Sequence, residues 1–98
     1  MNETVYSRQH MREHRIDTTA YKINTDPGVF QATLEMKAEA HSGMLRVFFS
    51  FSDGRKVIAP VYYWQRYLGF YEMPIGTTVI LTYEEKATGT YLTEARIA

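Results

Sequence analysis

Residues 28–40 read Gly-Val-Phe-Gln-Ala-Thr-Leu-Glu-Met-Lys-Ala-Glu-Ala, and residues 44–61 read Met-Leu-Arg-Val-Phe-Phe-Ser-Phe-Ser-Asp-Gly-Arg-Lys-Val-Ile-Ala-Pro-Val. In the first run Phe30, Ala32, Leu34, Met36, Ala38 and Ala40 alternate with Gln31, Thr33, Glu35, Lys37 and Glu39. A period of two sets one face of a strand against a core and the other against water. In the second run Leu45, Val47, Phe49 and Phe51 take the inward positions. Residues 28–61 therefore read as three antiparallel strands, with Phe30, Leu34, Met36, Val47 and Phe49 expected in the core.

The connections follow from the same alternation. Directly opposed residues share a face. Even positions point inward before the first connection and odd positions after it, so an even loop is expected, His41-Ser42 or His41 to Met44. Asp53-Gly54 is the strongest hairpin signal of the chain. As a two-residue turn it opposes Phe49 to Ile58 and Val47 to Pro60. Phe48, Val57, Ala59 and Val61 then share an outer face with Arg46 and Ser50. A three-residue loop would turn the third strand over. Pro60 cannot donate to a ladder, so it marks an edge or a bulge.

Outward from this meander the pattern changes. Trp64, Tyr67, Leu68 and Tyr71 fall at helical spacing, so a short helix is predicted over residues 62–73, ended by Pro74 and Gly76. Thr77 to Glu84 reads as a strand with Val79, Leu81 and Tyr83 inward. Lys86-Ala87-Thr88-Gly89 turns it, and Thr90 to Ile97 returns with Tyr91, Ala95 and Ile97 on the core side. Before the meander, Thr25-Asp26-Pro27-Gly28 is a turn, and Ile16 to Asn24 hints at a strand with Tyr21 and Ile23 on one side. Residues 1–15 are polar and read as an arm or short helix, leaving 16–98 as one barrel-like domain. The fold expected is mainly β with one short helix: a five- to six-stranded antiparallel barrel or curled sheet, with an OB-like or SH3-like order of elements.

Ninety-eight residues hold one core. There is no cysteine, so disulfides and thiolate metal sites are excluded. No apolar run approaches the ~18 residues of a membrane span, and the first residues lack a signal-peptide core; no membrane association and a cytoplasmic location are expected. Net charge is zero, spread as −1 over residues 1–40, +3 over 41–67 and −2 over 68–98. Neutrality argues against a strong nucleic-acid binder, whose affinity comes largely from phosphate contacts.

His10-Met11-Arg12-Glu13-His14 fits the H-x-x-E-H pattern of some zinc enzymes. Both imidazoles would share a helix face, but the pattern needs a third ligand that the chain does not supply, so no metal and no cofactor are expected. No phosphate-binding glycine loop or nucleophile elbow is present, and His41 falls in a turn. An enzyme is not expected.

The aromatic residues are the better lead. Phe48, Phe49, Phe51, Tyr62, Tyr63, Trp64, Tyr67, Phe70 and Tyr71 crowd the mildly basic middle of the chain. A domain of this size needs large side chains inside, so most of these rings belong to the core. Phe48 alternates with Arg46 and Ser50 and is expected outside. The candidate binding face is Arg46, Phe48, Arg55, Lys56, Val57, Val61 and Tyr63. Apolar and aromatic residues beside arginine suit a protein interface, so a protein partner, self or foreign, is the first expectation. Single-stranded nucleic acid, stacked on Phe48 and held by Arg and Lys, is the second.

Overall fold

A computed structural model describes residues 5–23, 25–39, 45–61 and 73–98. The fold is mainly β: among the described residues there are six strands in one sheet and one short helix. In chain order these are β1 (Val5–Tyr6), α1 (Arg8–Glu13), β2 (Gly28–Glu39), β3 (Leu45–Phe51), β4 (Lys56–Val61), β5 (Thr78–Lys86) and β6 (Gly89–Ile97). The sheet order is β4-β3-β2-β5-β6, all antiparallel, with β1 joining β2 in parallel. β2 is the spine. One of its edges pairs with β3, while the other pairs with β5 over residues 28–33 and with β1 at Lys37 and Ala38. The sheet is open, with β4 and β6 at its edges, rather than a closed barrel. The helix predicted over residues 62–73 falls outside the described residues, apart from Met73. No helix among the described residues is long and apolar enough to cross a membrane.

The alternation of β2 serves two cores, because a bulge interrupts it. Leu34 faces Phe49, yet Met36 faces Phe48, so Glu35 is the extra residue. Ala32 and Leu34 point to the inner core with Val47, Phe49, Phe51, Val57, Ala59, Met73, Val79, Leu81 and Tyr83. Beyond the bulge Ala38 and the half-buried Met36 join Phe48 and Ile58 on the outer side. Lys37 is consequently carried to the inward phase opposite Val47 and is buried. The expected core residues Leu34, Val47 and Phe49 are fully enclosed, Phe30 packs on the inner core from its rim, and Met36 belongs to the outer cluster instead. The bulge also corrects the loop parity. Glu39 pairs with Leu45, so the connection is residues 40–44, odd in length.

The β3–β4 hairpin is the three-residue form. Phe51 N–H donates to Arg55 O at 2.7 Å, and Gly54 N–H donates to Phe51 O at 3.0 Å. Gly54 has φ 95°, a conformation open chiefly to glycine. Phe49 thus faces Val57 and Val47 faces Ala59. A second bulge, at Thr93, puts Leu92 rather than Thr93 opposite Tyr83. Leu92 packs on the core, and Tyr91 is exposed, the reverse of the simple alternation. Between Ile16 and Ile23 the backbone makes a single bridge, at Lys22, instead of the strand suggested by sequence.

The N-terminal segment covers the outer cluster. Ser7 caps α1 by accepting the His10 N–H at 3.0 Å. Tyr6 and Met11 then pack on Ala38, Phe48 and Ile58, together with Tyr21.

Candidate functional site

The hairpin that was expected to present one binding face divides it between two. Phe48 is 3% exposed on the outer side, its ring met edge-on by Tyr21 at 4.9 Å. Val57 is 1% exposed and Ala59 4%, both in the inner core, because the three-residue loop turned β4 over. This corrects the placement of Val57 and Ala59 on the outer face and of Phe48 as an exposed ring. Val61 pairs with Leu45 through the backbone, and Tyr63 lies outside the described residues. A base cannot stack on Phe48 without displacing Tyr21 and the N-terminal segment.

The cations of the hairpin are divided as well. Arg55 is bound into the fold. Its Nε donates to Asp53 Oδ2 at 2.8 Å, its Nη1 donates to Thr25 Oγ1 at 2.8 Å, and its guanidinium lies 4.7 Å from the Phe30 ring centre. Asp53 also accepts the Arg55 backbone N–H at 3.0 Å. That bond, helped by the guanidinium, holds the Asp53 carboxyl below the ordinary aspartate range. Lys56 Nζ stands 5.3 Å from the Tyr21 ring centre. Burial, followed by the charge of Glu35, pushes the Tyr21 phenol up. Arg46 is exposed and, among the described residues, has no ion-pair partner.

His10 and His14 do share a face of α1, but their rings lie against each other at 4.1 Å, and Tyr6 stacks on His10 at 4.3 Å. Glu13 accepts from Gln9 Nε2 at 2.8 Å. Among the described residues no group of three or more His, Asp or Glu is placed to hold a metal.

The two edges of the sheet differ, and this the alternation did not reveal. On the open side of β4, Lys22 N–H donates to Lys56 O at 2.9 Å and Ile58 N–H donates to Lys22 O at 2.8 Å. Further along, Pro60 has no N–H to offer. The β4 edge is thus partly occupied and partly blunted. The outer edge of β6 pairs with nothing among the described residues.

Its hydrogen-bond phase can be read from Ala98, whose N–H donates to Thr78 O at 3.0 Å. Bonded pairs alternate along an antiparallel ladder. Arg96 and Glu94 therefore spend their backbone groups on β5, and Ala95 and Ile97 direct theirs outward. Glu94 and Arg96, both exposed, lie opposite Thr82 and Ile80, and neither is ion-paired among the described residues. Ile97 beside them is 64% exposed. The sequence did carry a signal for this: a Glu-x-Arg pair of opposite charge on one face of the last strand. No known protein family, no curated protein and no solved structure matches the chain.

Proposed function

We propose that the protein is a non-enzymatic binding module that engages protein by strand addition at the β6 edge, and that its partner is a second copy of the chain. The observation behind this reading is the contrast between a blunted β4 edge and a β6 edge whose outward N–H and C=O groups are unspent among the described residues. An unpaired strand edge is a ready template for another strand.

Self-pairing is favoured by charge. With a two-fold axis at Ala95, Ala95 faces Ala95 of the second copy as a bonded pair, and Glu94 faces Arg96 in both directions. Such directly opposed unlike charges stabilise a ladder by roughly 0.2–1 kcal/mol each. The same register places Ile97 diagonally across from the partner's Ala95 and removes apolar surface from water. A short edge interface of this kind gives a weak dimer that depends on concentration.

Ala95→Pro tests the reading. The Ala95 N–H points away from β5, so proline there removes an edge donor without breaking the β5–β6 ladder. Sedimentation velocity is expected to show a concentration-dependent rise in mass for the native chain and none for the variant, with unchanged circular dichroism. Identical mass curves for the two folded proteins would refute edge pairing.

A further inference from the structure

A second surface is built from residues that the β6 edge does not use. A cleft of about 340 Å³ lies between α1 and the outer side of the sheet. Arg8 and Arg12 line it from the helix and Arg46 lines it from β3. All three are exposed, and among the described residues none of their guanidinium groups has an ion-pair or hydrogen-bond partner. Glu39 is the carboxylate on the lining, so the cleft is net positive in a chain whose total charge is zero.

Arg8 and Arg12 are four residues apart on one helix face, an arrangement of like charges that costs an isolated helix roughly 0.2–0.5 kcal/mol. Arg46 adds a third cation from a different element. An anion seated among them would relieve this repulsion. Guanidinium groups present paired N–H donors that match the oxygens of a phosphate. Behind them the half-buried Met11 and Ile16 give the lining an apolar part, beside Thr18 and the buried Ala38 and Phe48. A site that is cationic at the rim and apolar behind it suits an anion carrying an organic body.

We infer that the cleft between α1 and β3 is a binding site for a small organic phosphate, its phosphoryl oxygens held by Arg8, Arg12 and Arg46 and its organic part lying against Met11 and Ile16. The site does not depend on the β6 edge.

Isothermal titration calorimetry with adenosine diphosphate, pyrophosphate and adenosine as probes, at matched low ionic strength, tests it. Adenosine diphosphate is expected to saturate one site, with pyrophosphate weaker and adenosine alone weakest. Arg12→Gln and Arg46→Gln are each expected to weaken adenosine diphosphate binding by roughly tenfold or more, as loss of a charge-assisted bond implies. Lys86→Gln, at the distant β5–β6 turn, is expected to leave it unchanged. No saturable heat with adenosine diphosphate or pyrophosphate would overturn the site, as would equal loss in all three variants. Pyrophosphate binding as tight as that of adenosine diphosphate would overturn the part assigned to the apolar lining.

Discussion

Arg55 ties the β3–β4 hairpin to the turn before β2, with Asp53 and Thr25 as its acceptors and Phe30 beneath its guanidinium. Asp53 gives this arrangement a pH dependence. The backbone N–H of Arg55, first, and its side chain hold the folded carboxyl below the ordinary value of 3.8. A carboxyl depressed in the folded state adds stability above its unfolded value, and that stability is lost as pH falls through the folded value. The stability gap between the native protein and Asp53→Asn is therefore expected to be constant above about pH 5 and to close below it. Thermal melts of both proteins at several pH values measure this; a gap that widens in acid would contradict it. Phe48 gives the second prediction at this scale. Its ring is enclosed by Tyr21, Ile58 and Ala38 in the outer cluster, so Phe48→Ala is expected to cost about 3–5 kcal/mol of stability, as for other buried phenylalanines. Urea denaturation reads this as a lower midpoint. A loss confined to binding, with stability unchanged, would restore Phe48 to the exposed role that its alternation with Arg46 and Ser50 suggested.

At the scale of elements the hairpin loop and the bulges decide which side chains meet. Gly54 closes the three-residue loop at φ 95°, and a Cβ there would meet nothing within 4 Å. The cost of Gly54→Ala is then the backbone's alone, and a destabilisation of about 1–2 kcal/mol is expected. Equal stability of the variant by denaturant titration would mean that the loop relaxes into another turn. These elements also show what the sequence made legible. Alternation identified the paths of β2, β3, β5 and β6 and the inward residues Leu34, Val47, Phe49, Val79 and Leu81, because burying one face of a strand requires that pattern. It did not reveal the bulges at Glu35 and Thr93. A bulge adds a residue without changing residue type, and its place is fixed by pairing between distant strands. Met36 and Ala38 therefore kept the pattern of Ala32 and Leu34 while serving the opposite side. Val57 and Ala59 were misplaced for a related reason: Asp-Gly fits both a two-residue turn and the last two positions of a three-residue loop. Of the candidate face, Arg46 was legible as an exposed cation. Its company with Arg8 and Arg12 was not, because it depends on the N-terminal segment folding back over the outer cluster.

The whole molecule is a sheet whose outer apolar patch is covered by its own N-terminal segment and whose edges are treated unequally. β1 adds to β2, α1 packs over Phe48, and Lys22 occupies part of the β4 edge. Among the described residues β6 is left with outward backbone groups and the alternating charges of Glu94 and Arg96. Self-pairing about Ala95 can be separated from any other association by charge reversal, since each copy supplies Glu94 to one ion pair and Arg96 to the other. The most direct measurement is sedimentation equilibrium of the native chain, Glu94→Arg, Arg96→Glu and the double reversal. A concentration-dependent dimer is expected for the native chain, monomers for each single variant, where like charges oppose one another, and recovery of the dimer in the double variant. A native chain that stays monomeric at every concentration, or single variants that dimerise as the native chain does, would contradict self-pairing about Ala95.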